Sequence, residues 1–438
     1  MTEKPFESAE SYLDSLGVDA MRSRGPSMHR IEAVCETLDH PERSIPSIHV
    51  AGTNGKSSTA RIATSVLAAT GLSVGTYTSP HLTSVRERIS LSGDPISEDG
   101  FEGAFEHLWP YLQVVEKELE EKLSYFEVLT AMFFLWAVET PVDVMVVEVG
   151  LGGRWDATNV VPAHVGVLTN VGLDHTGLLG SERETIALEK SGIAKHDSIL
   201  VTGERDPSVL EVIASEAAKV GATMSTIERD FAVTDDRVAL GGRYLSVRTS
   251  ARSYDGMFLA LHGSHQATNA AIALEATARL FAARPLDQEV VQEGLGTIVA
   301  PGRFEVFGPA EGEGATVVLD VAHNPDGVAA LISGLTETLG FDHIKFVFGV
   351  LGDKDFKGML SELARLPCSL YLAEPKSVRA VPVAELRAAA QQLDLDCVVA
   401  SDVGAALEAA LHAAADGDLV CVTGSHYVVG EARDRLVG

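Results

Sequence analysis

Residues 47–71, "SIHVAGTNGKSSTARIATSVLAATG", decide how the chain is read. A short apolar run, SIHVA, has the character of a buried strand. The segment from Lys56 onward repeats apolar residues at helical spacing. Between them lie two glycines, a lysine and two serines. Strand, glycine-rich turn, Lys-Ser and helix is the context of a phosphate-binding loop. Gly52 and Gly55, flanking Thr53 and Asn54, let backbone N–H groups converge on phosphate oxygens. Lys56 would reach the β and γ phosphates, and Ser57 or Ser58 would meet Mg²⁺. The positive end of the helix adds to the attraction. The loop is shorter than the usual G-x-x-x-x-G-K-[ST] spacing, and the alternative is a glycine-rich turn without a ligand.

Outward from the loop the pattern repeats. LSVGTYTS, DVMVVEVGLGG, HVGVLTNVG and DSILVTG are apolar runs separated by amphipathic helical segments. Near-continuous apolar strands alternating with helices predict a mostly parallel, doubly wound α/β sheet. Residues 228–262 differ. DFAVTDDRVALGGRYLSVRTS and DGMFLALHG read as antiparallel hairpins with glycine turns, an added small sheet. IVAPGRFEVFG, with Pro301 and Gly302, reads as a hinge. After it ATVVLDVA, IKFVFGVL, SLYLAEP, DCVVAS and DLVCVTGS alternate again with helices and predict a second, Rossmann-like α/β domain. The expected domains are 1–299, of P-loop ATPase type, and 300–438.

Composition narrows the function. With 438 residues and a 46% hydrophobic fraction, the chain can bury two large cores. The formal net charge of −28 opposes binding to nucleic acid backbones. No apolar run is long enough to span a bilayer. The acidic, amphipathic N-terminus does not have the form of a signal peptide. Cys35, Cys368, Cys397 and Cys421 lie far apart without metal-ligand spacing, as in a reducing compartment. A cytoplasmic, monomeric protein is expected, with no nucleic acid and no membrane partner. In so acidic a chain, an anionic ligand needs locally concentrated cations and helix N-termini.

Glu148 closes the apolar run DVMVVEV. A carboxylate there is costly unless paired or metal-bound, and strand ends are where open α/β sheets bind ligands. It is a candidate Mg²⁺ ligand, the alternative being a buried salt bridge. His175 ends another strand beside Asp174 and is a candidate ligand through a neutral imidazole. Imidazole suits Mn²⁺ better than Mg²⁺, so Mn²⁺ substitution is expected.

The short loop GTNGKSS resembles the ATP loop of the Mur ligase superfamily. These enzymes join an amino acid to a carboxylate through an acyl phosphate. IHVAGTNGKSS followed by YTSPHLTSVRERIS resembles, more narrowly, the folylpolyglutamate synthase/dihydrofolate synthase family. YFEVLTAMFF, VEVGLGGRWDATN, TNVGLDHTGLLG, IALEKSGIAK, GSHQATNAAIAL, PGRFE, LDVAHNPDG, GDKD and VTGSHYVVGE are similar to that family's blocks, in its order. Three positions depart from it: Ser57 where glycine often follows the lysine, Val321 where glycine is common, and His426 where leucine is common.

The resemblance implies ATP, two divalent metal sites, a folate or dihydropteroate acceptor and L-glutamate. It implies Ser79 as a further metal contact and His175 as ligand of the second metal. Lys190 resembles the lysine that becomes carbamylated and so joins that site; without the resemblance it reads as a helix-surface lysine. Asn269 resembles the residue that reads adenine, and Arg303 the arginine that contacts the phosphates. Asp320, at a strand end, would bind the ribose hydroxyls, followed by His323 and Asn324. Lys56, Lys190 and His323 are the catalytic candidates. For the acceptor, Phe126 would stack on the pterin and Asp156 bond its amino-pyrimidine edge. Both also read as core or cap residues. The stretch 20–38 is a further region for pterin contact. Arg88 would clamp the glutamate carboxylates and Ser425 would touch the same molecule. A ligase of UDP-sugar substrates would need a nucleotide-sugar domain before residue 49, for which 48 residues are too few. A P-loop switch would leave LDVAHNP and GDKD without a role.

Overall fold

The computed structural model of the chain describes residues 6–17, 27–308 and 315–437. Residues 20–26 of the stretch considered for pterin contact lie outside these. Seventeen strands form three sheets among the described residues. The first sheet holds β1 (Ser47–Ala51), β2 (Val74–Tyr77), β3 (Ile89–Leu91), β4 (Asp94–Pro95), β5 (Val144–Glu148), β6 (Val165–Leu168), β7 (Ile199–Thr202) and β8 (Thr223–Thr226), in the order 4-3-2-5-1-6-7-8. β1 lies between β5 and β6, and all five of its residues are buried. A strand covered on both faces has no polar side to show, which is why SIHVA and VMVVE read as continuous apolar runs.

The second sheet is the antiparallel trio β9 (Ala232–Ala239), β10 (Gly242–Arg248) and β11 (Ser253–Leu259). The third holds β12 (Glu305–Phe307), β13 (Thr316–Leu319), β14 (Ile344–Phe348), β15 (Cys368–Leu372), β16 (Cys397–Val399) and β17 (Leu419–Thr423), in the order 12-13-17-14-15-16. Four strands go beyond the sequence reading. β3 and β4 add an antiparallel edge, and β8 closes the other side of the first sheet. β12 is antiparallel to β13, so the segment read as a hinge also builds the edge of the third sheet. All four are short strands at or next to sheet edges, where pairing rather than an apolar pattern defines the strand.

The helix Lys56–Ala69 buries Ala60, Ile62, Ala63, Val66 and Leu67 in a core shared with the helices Ser264–Leu280 and Gln288–Thr297. AMFFLWAV lies in the helix Tyr125–Glu139, whose start is closed by a capping box between Ser124 and Glu127. That helix is apolar on nearly every side because it is buried in a second core. No described helix is long and apolar enough to cross a membrane. The layout matters for one reason. The carboxyl ends of β1, β5, β6 and β7 meet those of β13, β14 and β17 across a single cleft.

Candidate active site

The cleft has a volume of about 650 Å³ and takes its walls from both large sheets. The loop Gly52–Gly55 is fixed by its neighbours. Thr53 N–H donates to Asn170 O at 3.0 Å, Asn54 N–H to Asn170 Oδ1 at 3.0 Å, and Gly172 N–H to Thr53 Oγ1 at 2.9 Å. Gly52 has φ +150° and a β-carbon there would lie 1.8 Å from Thr169 Oγ1; Gly55 has φ +80° and would meet Asn269 Oδ1 at 2.5 Å. Neither position admits a side chain. Lys56 folds back over this turn, its Nζ donating to the carbonyls of Gly52 at 3.1 Å and Thr53 at 3.2 Å. Burial pushes its ammonium down, while the Glu148 and Asp174 carboxylates pull the other way.

Glu148 is fully buried at the end of β5. Its Oε1 accepts from Ser57 Oγ at 2.8 Å and its Oε2 from the Ser79 backbone N–H at 3.1 Å. Burial pushes its carboxyl up, opposed first by Lys56. Ser58 turns the other way, into the helix packing, where its Oγ accepts from Gln266 Nε2 at 3.3 Å. Both serines line the cleft, and Ser57 is the one bonded to Glu148.

Lys190 ends the helix Arg183–Lys190, and its Nζ donates to Gly52 O at 2.9 Å, the carbonyl Lys56 also uses. Burial, and then the Lys56 charge, push its ammonium down to about 7. A surface lysine it is not. His175 adopts φ +50° at the start of a short helix. Its Nε2 lies 3.2 Å from Lys354 Nζ and its Nδ1 3.5 Å from Asp353 Oδ2.

From the other side, Asp320 ends at the cleft with both oxygens occupied, accepting from the N–H groups of Phe304 and Ala322 at 2.9 Å each. Burial pushes it up to about 6, against the pull of Arg303. His323 Nε2 lies 3.4 Å from Asp174 Oδ2, with its Nδ1 2.9 Å from Val321 O. The side-chain amides of Asn324 and Asn54 pair reciprocally, at 3.0 and 3.3 Å. Arg303 donates to Ser57 Oγ at 3.1 Å. Asn269 lines the cleft and donates to Gln266 Oε1 at 2.9 Å. Arg88 and Ser425 also line it. The Arg88 guanidinium donates to His81 Nδ1 at 3.0 Å and lies 5.3 Å from the Tyr125 ring centre. Ser425 Oγ accepts the Val428 N–H at 3.2 Å.

Phe126 and Asp156 are not part of this lining. Phe126 packs beneath Gly150, so closely that a β-carbon there would fall 2.6 Å from its Cζ, and beside Tyr77. Asp156 is buried and caps the turn Ala157–Val160, accepting from Leu151 N–H at 2.8 Å and Thr158 N–H at 3.0 Å. Its carboxylate is already satisfied, and the neighbouring stretch Val149, Gly150, Leu151 and Gly152 lines the cleft.

Lys354, in the block GDKD, also lines the cleft. Its Nζ donates to Asp174 Oδ1 at 2.7 Å, and both groups are largely buried. Despite burial, His323 and Lys354 hold the Asp174 carboxyl well below the usual carboxylate range. The signal was available: the charged block GDKD follows the apolar strand β14 as Glu148 closes β5. What the sequence lacked was the partner, on the other sheet and 180 residues away.

A phosphate loop facing a second α/β sheet, with cations and carboxylates drawn from both, defines a two-domain ligase of the Mur type. Residues 50–277 match the Mur ligase middle domain and residues 302–426 the Mur ligase glutamate ligase domain. The chain belongs to this family, and within it to the dihydrofolate synthase/folylpolyglutamate synthase branch. It is 38% identical to the Mycobacterium tuberculosis dihydrofolate synthase/folylpolyglutamate synthase, over 93% of this chain and 89% of that one. The crystal structure of the M. tuberculosis folylpolyglutamate synthase complexed with ADP and AMPPCP is similar with a TM-score of 0.90 at 37% identity, over 94% and 95% of the two chains. A bifunctional folylpolyglutamate synthase/dihydrofolate synthase with Mn, AMPPNP and L-glutamate bound matches with a TM-score of 0.86 at 30% identity, over 100% of both chains.

Proposed function

We propose that the chain is an ATP-dependent folate–glutamate ligase that adds L-glutamate to the γ-carboxyl of tetrahydrofolates and also to dihydropteroate. The observation that carries this reading is the cleft itself. The Lys56 loop of one domain and Asp320, His323 and Lys354 of the other line one cleft, bridged by Lys354 and Asp174 at 2.7 Å, in a chain with the family's blocks throughout.

A carboxylate is a poor electrophile because oxide is a poor leaving group. Phosphorylation by ATP gives an acyl phosphate, and the glutamate amine then displaces phosphate. The loop N–H groups and Lys56 hold the γ-phosphate as negative charge shifts during transfer. Asn269 reads the adenine edge, Asp320 accepts the ribose hydroxyls and Arg303 meets the phosphates. His323, held near Asp174, is placed beside the transferring group. Arg88 and Ser425 hold the incoming glutamate, and Tyr125 backs Arg88. Phe126 and Asp156 support the Gly150–Leu151 backbone of the cleft wall, beside which the pterin would lie.

The described residues contain no ready-made cage of three His, Cys, Asp or Glu side chains. Mg²⁺ needs none, since it is usually held by one or two carboxylates with water and substrate phosphates. Glu148 with Ser57 fits such a site, and Ser79 stands beside it. A second site is built from His175 and Lys190, provided the lysine is carbamylated. Its depressed ammonium supports that, because only a neutral amine attacks CO₂. Divalent ions there would offset the charge of the phosphates and polarise their oxygens. We place the protein in the cytoplasm as a monomer; its four cysteines are free, as a reducing compartment requires.

The test is an incubation with ATP, Mg²⁺, L-glutamate and either tetrahydrofolate or dihydropteroate. Phosphate release with products one glutamate heavier is expected for both acceptors. No product with either would end the proposal, and product with one alone would reduce it to a single activity. ¹³C-bicarbonate labelling should give a carbamate signal that Lys190→Arg lacks.

A further inference from the structure

We infer that His426 is a positioning residue that aims the Arg303 guanidinium into the cleft without neutralising it. Arg303 sits where the chain crosses from the first domain to the third sheet. Its Nη2 donates to two acceptors, Ser57 Oγ at 3.1 Å and His426 Nε2 at 3.3 Å. Both are uncharged. The nearby carboxylates are occupied elsewhere: Asp320 by two backbone N–H groups, Glu148 by Ser57 and the Ser79 N–H. Arg303 makes no ion pair among the described residues.

Arg61 makes the arrangement demanding. It lines the same small cavity of about 20 Å³ as Arg303 and His426, and the two guanidiniums repel. An arginine between a like charge and an open cleft needs an acceptor to fix its direction. A carboxylate would fix it and cancel its charge. A neutral imidazole fixes it and leaves the charge for an anion. His426 meets those terms: Nε2 faces the arginine, so the ring proton belongs on Nδ1, and burial with the Arg303 charge keeps the ring neutral. His426 begins the helix His426–Val437, so the acceptor belongs to the third-sheet domain, while Ser57 belongs to the phosphate loop. The guanidinium is thus aimed only when both domains are in place.

This rests on the reading that Arg303 meets the nucleotide phosphates, and the test separates the two. AMPPNP and ADP affinities are measured by calorimetry for the wild type, Arg303→Ala, His426→Gln, His426→Asn, His426→Leu and the Arg303→Ala/His426→Asn pair. The Gln oxygen reaches about as far as Nε2; the Asn oxygen does not. Asn and Leu should weaken AMPPNP about tenfold, as for loss of a hydrogen bond to a charged group. ADP should change little, Gln should bind as wild type, and Asn should add nothing once Arg303 is gone. If Arg303→Ala leaves AMPPNP affinity unchanged, the phosphate reading of Arg303 fails. If Arg303→Ala weakens it but Asn binds as well as Gln, or Asn costs as much without Arg303, the positioning role fails.

Discussion

The two walls of the cleft are built on different principles. The phosphate-loop wall is held within its own sheet. Residues 52–58 run from a buried strand into a helix, and Thr53 and Asn54 are pinned by residues 169–172 of the adjacent strand's loop. The opposing wall reaches across. Asn324 bonds Asn54, Lys354 bonds Asp174 and Arg303 bonds Ser57, each spanning 150 or more residues of sequence. The first wall is pinned by loops of its own sheet before ligand arrives. The second is joined to it by a few side-chain bonds, so the site is complete only with both domains in place.

Lys56→Ala should have the largest effect. Its Nζ bonds the loop carbonyls beside Glu148, and kcat should fall on the order of 10²–10³-fold, the scale of one lost transition-state donor. Near-normal turnover would refute the phosphate role. Gly55→Ala tests the phosphate-loop wall differently. The positive φ and the 2.5 Å approach to Asn269 Oδ1 should cost about 1–3 kcal/mol of stability in chemical denaturation, and nucleotide affinity with it. An unperturbed melt would mean the loop is softer than its geometry.

Lys354→Ala probes the reaching wall. Removing one partner of a largely buried pair should lower kcat/KM about tenfold and leave Asp174 uncompensated. The loss should shrink when Asp174→Asn is added, and equal losses in both backgrounds would show that the two do not act as a pair. Asp320 gives the smallest effect. Its folded-state value of about 6 lies above that of an exposed aspartate. Its stabilising contribution is therefore full in acid and is lost as pH rises through about 6. Its ability to accept ribose hydroxyls runs the other way, so KM for ATP should climb as pH falls through that value. Asp320→Asn should flatten both trends; a mutant that tracks the wild-type KM profile would remove Asp320 from the nucleotide site.

The same contrast governs what could be read from the chain alone. The strands around GTNGKS were legible because both faces are buried and the apolar pattern is continuous. Glu148 stood out because a carboxylate closes such a run. Edge strands β3, β4, β8 and β12 were not, since hydrogen bonding to a neighbour makes them. Asp156 and Phe126 read equally as ligand contacts and as cap or core residues; the first caps a turn and the second supports a glycine.

By itself, then, the sequence determined the phosphate loop, the two α/β layers, the small antiparallel sheet and the family. The first three depend on spacing within a few tens of residues, and the family on the resemblance of ordered blocks along the chain. Only the tertiary structure decided that Ser57 rather than Ser58 faces Glu148. It alone joined Lys354 to Asp174, and placed His426 against Arg303. These are contacts between chain-distant side chains, and their energy depends on direction and burial, which no spacing along the chain encodes.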